Sequence, residues 1–403
     1  MANQFASISS AAGILKNWYA GALVSQFNDQ IPLWKNIEKG REKSAGLQVI
    51  RALKVRRNPG VGSTSDGGVL PKIGQQTTVQ AAIAYKFNYL RFGVTGPMLK
   101  ASQGDKGAFV SIMEYEMEQG LLDFKTNFNR QLFGDGSGQI ATVAANAVAT
   151  NVITATGIES TMPGNLYLDV GVVIDIYTSA GVLVSSGLQV TAISGTDTVT
   201  LTLSANVTTS ATDLIILSGS YQNDVQGLLY TLGSTQTSTI YSVDRSTYTS
   251  YQSNIINANG GQLTLDLLQQ AWNEGRRRGD AKYNAVFCDY NSERFYNKLL
   301  VVDRRYVGKV PGDGTFSNKE SSYLEYGGVP ITPDKDSFRR FFFLDTNQWK
   351  KYVLSELEWA DETGSYMIAQ VSSDQFEIRL RHLANLFCEK PSAQAVLRNY
   401  VSP

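Results

Sequence analysis

The sequence predicts an α+β fold interrupted by a small all-β domain, and three observations predict it. One helical face runs from Lys106 to Phe133, where Phe109, Met113, Met117, Leu121, Phe124, Phe128 and Leu132 recur at steps of 4, 4, 4, 3, 4 and 4. From about Ser137 to Gln222 the chain is a series of short Val-, Ile- and Thr-rich runs broken by Gly, Asn, Asp and Ser, which suits a barrel or sandwich. After Leu263, helical and strand patterns alternate.

Residues from about Ser10 to Phe27 read as an amphipathic helix, because Leu15, Tyr19, Leu23 and Phe27 recur at i, i+4; Pro32 ends that pattern. "LQVIRALKV" and "TTVQAAIAYKFNYLRFGV" read as strands. Between them lies "RRNPGVGSTSDGGVLPKIG", Arg56 to Gly74, with five glycines, two prolines and no aromatic residue. Most hairpins need only roughly two to five loop residues. Such a tip reads as a phosphate cradle, an active-site lid, or an arm that reaches another molecule. The long helix would measure about 40 Å at 1.5 Å per residue, with Asp105 as N-cap and Gly134 as its stop. Its Met-containing stripe is core packing. "GDGSG" at Gly134 then turns the chain into the β-rich segment, which reads as an insertion because helical patterns resume beyond it.

"TLDLLQQAWNEGRRRG" is a helix with Thr264 as N-cap and Leu265, Leu268 and Trp272 on one face. "YNAVFCDY" is a buried strand, and "NSERFYNKLL" is a helix capped by Asn291. "GGVPITPD" and "RRFFFLDTNQWKKYVLS" are strands, "DQFEIRLRHLANLFC" begins as one with arginines on one face, and the chain closes in a short extended tail.

Composition removes most chemistry. The 403 residues include one histidine, His382, and two cysteines, Cys288 and Cys388. Histidine triads, multi-histidine metal sites and a disulfide framework are therefore not read. His382, beside arginines in "IRLRHLANL", reads as structural, and both cysteines read as small buried hydrophobes. No apolar run is long enough to span a bilayer, and the start shows no signal-peptide pattern. "GDGSG" lacks the lysine and spacing of a P-loop and follows a helix where a phosphate cradle precedes one, and "GDGTF" at Gly312 is likewise a loop. No nucleophile elbow, HExxH, CxxC or paired carboxylates stand out, so no enzyme, cofactor or metal is expected.

Charge is sorted along the chain. Lysine and arginine together equal the acids, 36 of each, but none lies between Arg130 and Arg245, where eight acids fall. The remainder then has 28 acids against 36 bases, a net of +8, which suggests two surfaces with different neighbours, or a separate polar domain of its own composition. Arg276, Arg277 and Arg278 end a helix where cations suit its dipole, with an inter-subunit or nucleic-acid contact as the other reading. Arg379 and Arg381 alternate on one strand face, as an ion-pair ladder or a solvated face.

Taken together, this order resembles the Hong-Kong-97-type major capsid proteins of tailed double-stranded DNA phages. The stretches that carry the resemblance are "LPKIGQQ", "GAFVSIMEYEMEQGLLDFKTNFNRQLFGDGSGQIA", "YGGVPITPDKDSFRRFFFLDTNQW" and "FEIRLRHLANLFCEKPSAQAVL". The resemblance implies an N-terminal arm at 1–46, an extended-loop hairpin at 47–97 and a spine helix of the peripheral domain at 98–136. An inserted β domain at 137–222 and a peripheral return at 223–262 follow. An axial domain at 263–374, then a closing peripheral strand and C-terminal tail at 375–403, complete the chain. It further implies hexamers and pentamers of an icosahedral virion shell assembled in the host cytoplasm around double-stranded DNA. Separate scaffolding, portal and decoration proteins are the implied partners, with no membrane. The tip Arg56–Gly74 would lie over a neighbouring subunit, and Arg56, Arg57, Lys72, Arg276–Arg278, Arg379 and Arg381 are the contact candidates. Some family members cross-link a loop lysine to a neighbour's asparagine, for which Lys72 and Asn385 are the residues this sequence offers. An encapsulin-like cellular shell and a tail-fibre or receptor-binding protein are the alternatives.

Overall fold

The computed structural model describes residues 31–42, 46–97, 106–159, 162–233, 235–303, 324–360, 367–369 and 374–403. The Ser10–Phe27 pattern, the Asp105 cap and the loop at Gly312 lie outside these residues. The chain divides into two compact units, each assembled from three separated segments. One gathers Met1–Arg51, Ala82–Leu132 and Lys350–Phe387; the other gathers Ala52–Ala81, Phe133–Trp349 and Cys388–Pro403.

The described chain begins with helix α1 (Pro32–Asn36) and strand β1 (Glu38–Lys39). Pro32 opens this short helix at its first turn, where the missing N–H costs nothing. Strands β2 (Gln48–Arg56) and β3 (Thr77–Ala84) pair as a two-stranded hairpin. The second flank, which the sequence reads as one strand, divides at Tyr85 into β3 and β4 (Lys86–Thr95). Helix α2 (Lys106–Phe133) has the predicted span and stops just before Gly134. Met117, Leu121, Phe124, Phe128 and Leu132 of its stripe are all buried. In the first unit, β4 and β20 (Gln375–Cys388) pair antiparallel from Lys86–Ala384 to Thr95–Gln375. Strands β18 (Trp349–Trp359) and β19 (Met367–Ala369) flank β20, with β1 parallel to β18. His382 on β20 is fully buried under the edges of Trp34 and Phe128, so its structural reading holds.

In the second unit, "GDGSG" turns the chain sharply: Gly136 and Gly138 both adopt positive φ, and Asp135 accepts the Ser137 N–H at 2.9 Å. Six strands follow: β5 (Gln139–Val143), β6 (Ala147–Thr156), β7 (Val173–Tyr177), β8 (Leu183–Ser194), β9 (Thr198–Thr209) and β10 (Leu214–Leu217). They close a barrel in the order β10–β5–β6–β9–β8–β7, which decides barrel over sandwich. Its interior is filled by residues such as Ile153, Ile174, Ile176, Val190, Leu201 and Ile215, which are essentially solvent-free.

Helix α3 (Leu228–Leu232) and the short pair β11 (Thr239–Ile240) and β12 (Val243–Asp244) lead out of the barrel. Buried Arg245 pins the loop between them: its guanidinium donates to the carbonyls of Thr231, Thr235 and Ser238 at 2.6–3.0 Å. Strand β13 (Asn254–Asn257), helix α4 (Leu265–Gly279), strand β14 (Ala285–Cys288) and helix α5 (Tyr290–Asp303) come next. Strands β15 (Glu325–Tyr326), β16 (Val329–Pro333), β17 (Phe341–Leu344) and β21 (Ala395–Arg398) complete a six-stranded sheet ordered β13–β21–β17–β14–β16–β15. Phe343 of β17 meets Trp272 on one face while Phe342 meets Phe133 on the other, so the strand is buried on both sides.

Four local readings change. Asp289, not Asn291, caps α5, because its carboxylate accepts the Asn291 and Ser292 N–H groups. Thr264 caps α4 as predicted, accepting from the Leu267 N–H, but Leu265 faces solvent while Leu268 and Trp272 are buried. Strand β20 continues to Cys388, beyond its arginine-bearing start. The short extended tail includes a core strand: Ala395–Leu397 are solvent-free, parallel to β13 and antiparallel to β17. Four residues are too few to show a period, so only their partners reveal the strand.

Candidate functional site

The tip of the β2–β3 hairpin is the most exposed apolar feature among the described residues. Val61, Val69, Leu70 and Ile73 are 76–101 % exposed, and the charged tip residues Arg57 and Lys72 are exposed too. Burying such aliphatic side chains is worth about 1.5–3 kcal/mol each, so a tip that leaves four in water is a candidate contact surface. The loop nevertheless has a defined neck. Asn58 Oδ1 accepts the Gly60 N–H at 2.8 Å. A Cβ on Gly74 would sit 2.5 Å from that oxygen and 2.6 Å from Pro59, so the two limbs cross where only glycine fits. At the base, Arg56 lies over the Tyr248 ring at 5.5 Å, and Ser250 Oγ donates to the Val55 carbonyl at 2.5 Å. The sequence showed the loop's length and glycines; its signal for the aliphatics was four Val, Leu and Ile side chains among residues that otherwise only turn the chain.

The other candidates lie on separate elements. Arg276, Arg277 and Arg278 occupy the last turn of α4, as the dipole reading expects. Arg277 pairs with Glu274 one turn back, and Arg278 donates to Asn254 Oδ1 at 3.0 Å. Asp280 caps the helix in the left-handed region, with φ of 52°. On β20, Arg379 and Arg381 are engaged within the chain. Arg379 donates to Glu377 at 2.7 Å, Arg91 of β4 reaches the same carboxylate, and Arg381 donates to Glu358 at 3.0 Å. Hydrogen bonds from Arg379 and then Arg91 hold the Glu377 carboxyl at about 2. The ladder reading is therefore filled from inside the chain. Sequence reasoning missed Arg91 and Glu377, whose register across β4–β20 no local pattern encodes.

The cross-link suggestion fails at its acceptor. Asn385 is solvent-free in β20; its Nδ2 donates to the Ala84 carbonyl at 2.7 Å and its Oδ1 accepts the Leu386 N–H. An amide so placed cannot meet a neighbour's lysine. Reactive groups are likewise withdrawn. Burial pushes the thiols of Cys288 and Cys388 well up, and burial holds the His382 imidazole at about 3. Among the described residues, no group of three His, Cys, Asp or Glu could hold a metal ion, and no helix is long and apolar enough to cross a membrane. An open groove beside α4 is lined by Leu265, Asp266, Gln269, Trp272, Tyr296 and Tyr326.

Comparison with known proteins rests on shape. A chain of the cyanophage A-1(L) capsid asymmetric unit matches with a TM-score of 0.56 and 14 % identity, covering 99 % of this chain and 95 % of that one. This chain has the fold of a phage capsid protein. Weaker matches include the capsid of an empty GTA particle, with a TM-score of 0.47, 8 % identity, and coverage of 91 % of this chain and 96 % of the other. The holo-SrpI encapsulin complex from Synechococcus elongatus PCC 7942 gives 0.37 and 10 %, with coverage of 92 % and 89 %. No family model and no curated protein matches the sequence.

Proposed function

We propose that the chain is the major shell protein of a tailed-phage head, assembling through hexamers and pentamers into an icosahedral shell around double-stranded DNA. The observation that carries this is the hairpin tip: on a capsid fold, four aliphatic side chains stand in water at the end of an arm that the chain itself leaves uncovered. Covered by the next subunit, they would supply one of the many modest interfaces that close a shell. Helix α2 is the spine, the β13–β21–β17–β14–β16–β15 sheet forms the axial domain, and the barrel is an insertion carried on the outer surface. On this reading Arg56, Arg57, Lys72 and Arg276–Arg278 would contact neighbours, and Arg379 and Arg381 would do so over their internal pairs. The basic remainder would face packaged DNA through salt-dependent, sequence-independent contacts. Scaffolding, portal and decoration proteins are the partners this reading supplies, in a virion built in the host cytoplasm.

The test is negative-stain electron microscopy of the purified chain, alone and with a candidate scaffold. Closed shells or capsomer-sized rings are expected. Joint Leu70→Ser and Ile73→Ser substitution should lower shell yield at least tenfold while leaving the melting temperature of the unassembled chain unchanged. Discrete trimers or monomers under every condition would overturn the reading in favour of a fibre or receptor-binding protein. Shells filled with protein cargo would reassign it to a cellular compartment.

A further inference from the structure

Two arginines that lie far apart in the sequence meet on the six-stranded sheet of the second unit. Strands β17 and β21 run antiparallel, with Phe341 opposite Leu397 and Phe342 opposite Val396. One step further along the same register, Arg340 stands opposite Arg398. Opposite residues share a face of the sheet. Phe341 and Leu397 belong to the core that holds Trp272, so the two arginines lie on the other face, with Phe342 and its neighbour Phe133. Opposite positions bring Cβ atoms to about 4.5–5.5 Å, and like charges so placed destabilise a strand pair.

Water does not relieve this pair. The Arg340 side chain is only 11 % exposed. Its Nη2 donates to Glu159, which follows strand β6 of the barrel. Its Nε and Nη1 are solvent-free and have no partner, and the same holds for Arg398 Nε. Burial first, and the charge of Arg398 with it, hold the Arg340 guanidinium below its ordinary range, against the pull of Glu159. Asp135 adds a weaker pull, but it is exposed, and one of its oxygens accepts both the N–H and the hydroxyl of Ser137. A charged donor buried without an acceptor is costly, and a folded chain that keeps one serves it with an ion or an ordered water.

We infer that Arg340 and Arg398 bind a small tetrahedral oxyanion of the phosphate class between their guanidinium groups. Three orphaned donors from two planar forks suit such an ion, whose oxygens accept several charge-assisted N–H bonds at once. A water would serve some of the donors but carries no charge to offset two opposed cations. The donors are withdrawn from solvent, so the backbone of a duplex, held on a broad rod, cannot be pressed against them, whereas a free ion can be enclosed. The bound ion would tie the end of β21 to the start of β17 and, through Arg340, to Glu159 beside the barrel. The site stands independently of the shell reading.

Thermal unfolding of the full-length, unassembled chain tests it, with inorganic phosphate titrated against chloride at matched ionic strength. Phosphate should raise the melting temperature saturably, by about 3 °C at roughly a hundredfold excess over its dissociation constant. Arg398→Gln should abolish that shift, and without phosphate it should melt no lower than the unsubstituted chain, because a like charge opposite Arg340 is gone. Arg398→Lys keeps the charge but loses the fork, and should weaken phosphate binding about tenfold. It also carries the test should circular dichroism show that Arg398→Gln is unfolded. A chain that phosphate does not stabilise overturns the site, and so does a shift that survives either substitution unchanged. A duplex oligonucleotide at the same phosphate concentration should give no shift that depends on Arg398. An Arg398-dependent shift with the duplex and none with free phosphate would overturn the small-ion site in favour of a nucleic-acid contact.

Discussion

The hairpin tip and the barrel both put aliphatic side chains into solvent, but only the barrel has an interior to compensate. Its inward residues fill a closed ring, so its order comes from within. The tip has no core: Val61, Val69, Leu70 and Ile73 point outward from a loop held by an asparagine turn and a glycine crossing. One region is held by its own core; the other is held only by the turn and the crossing at its neck. The contrast teaches that exposed apolar residues mean different things according to whether their own backbone is already paired on both sides.

Three measurements would break or sharpen that contrast. The largest effect belongs to the barrel interior. Leu201→Ala deletes a solvent-free side chain from a closed core and should cost about 3 kcal/mol, read as lost hydrogen-exchange protection across β6, β8 and β9. Protection unchanged by the substitution would mean that the barrel does not hold itself together. The tip should show no such protection to lose.

Next comes pH, which separates the barrel from the sheet that holds His382. Burial keeps this imidazole at about 3, below its ordinary 6.5. The unfolded chain takes up a proton as pH falls through 6.5 while the native chain does not. The stability linked to His382 is therefore complete above 6.5 and is lost progressively as pH drops toward 3, by up to about 1.4 kcal/mol per pH unit. Hydrogen exchange between pH 6.5 and 5, corrected for intrinsic rates, should show β20 weakening and the barrel, which has no histidine, staying level. His382→Phe should abolish the difference, since this is the chain's one histidine. A β20 that stays level in the unsubstituted chain would contradict a buried neutral imidazole.

The smallest effect is at the neck of the tip. Gly74→Ala forces a methyl into Pro59 and Asn58, at a cost of about 1 kcal/mol confined to the loop. Faster proteolysis between Arg57 and Gln76 with an unchanged melting temperature is expected. A lowered melting temperature would show that the loop is coupled to the rest of its unit.

Much of the molecule is legible in the sequence where the signal is local. The span Lys106–Phe133 follows from one stripe and a terminal glycine, the barrel interval from short Val-, Ile- and Thr-rich runs broken by turn residues, and the structural reading of the one histidine fits its place beneath two aromatic rings. Asp289 could have been preferred to Asn291, since either is a good cap, but the choice depends on where the first helical turn begins.

By itself, then, the sequence determined the periods, the punctuation and the sorting of charge into a cation-free stretch and a basic remainder. The tertiary structure alone decided which distant residues meet. It placed Ala395–Arg398 between two strands from far earlier in the chain, gave Glu377 the arginine of β4, and hid Asn385 from any neighbour. The physical reason is that periodicity is written within a few residues, whereas register, burial and the fate of a charge depend on partners hundreds of residues away.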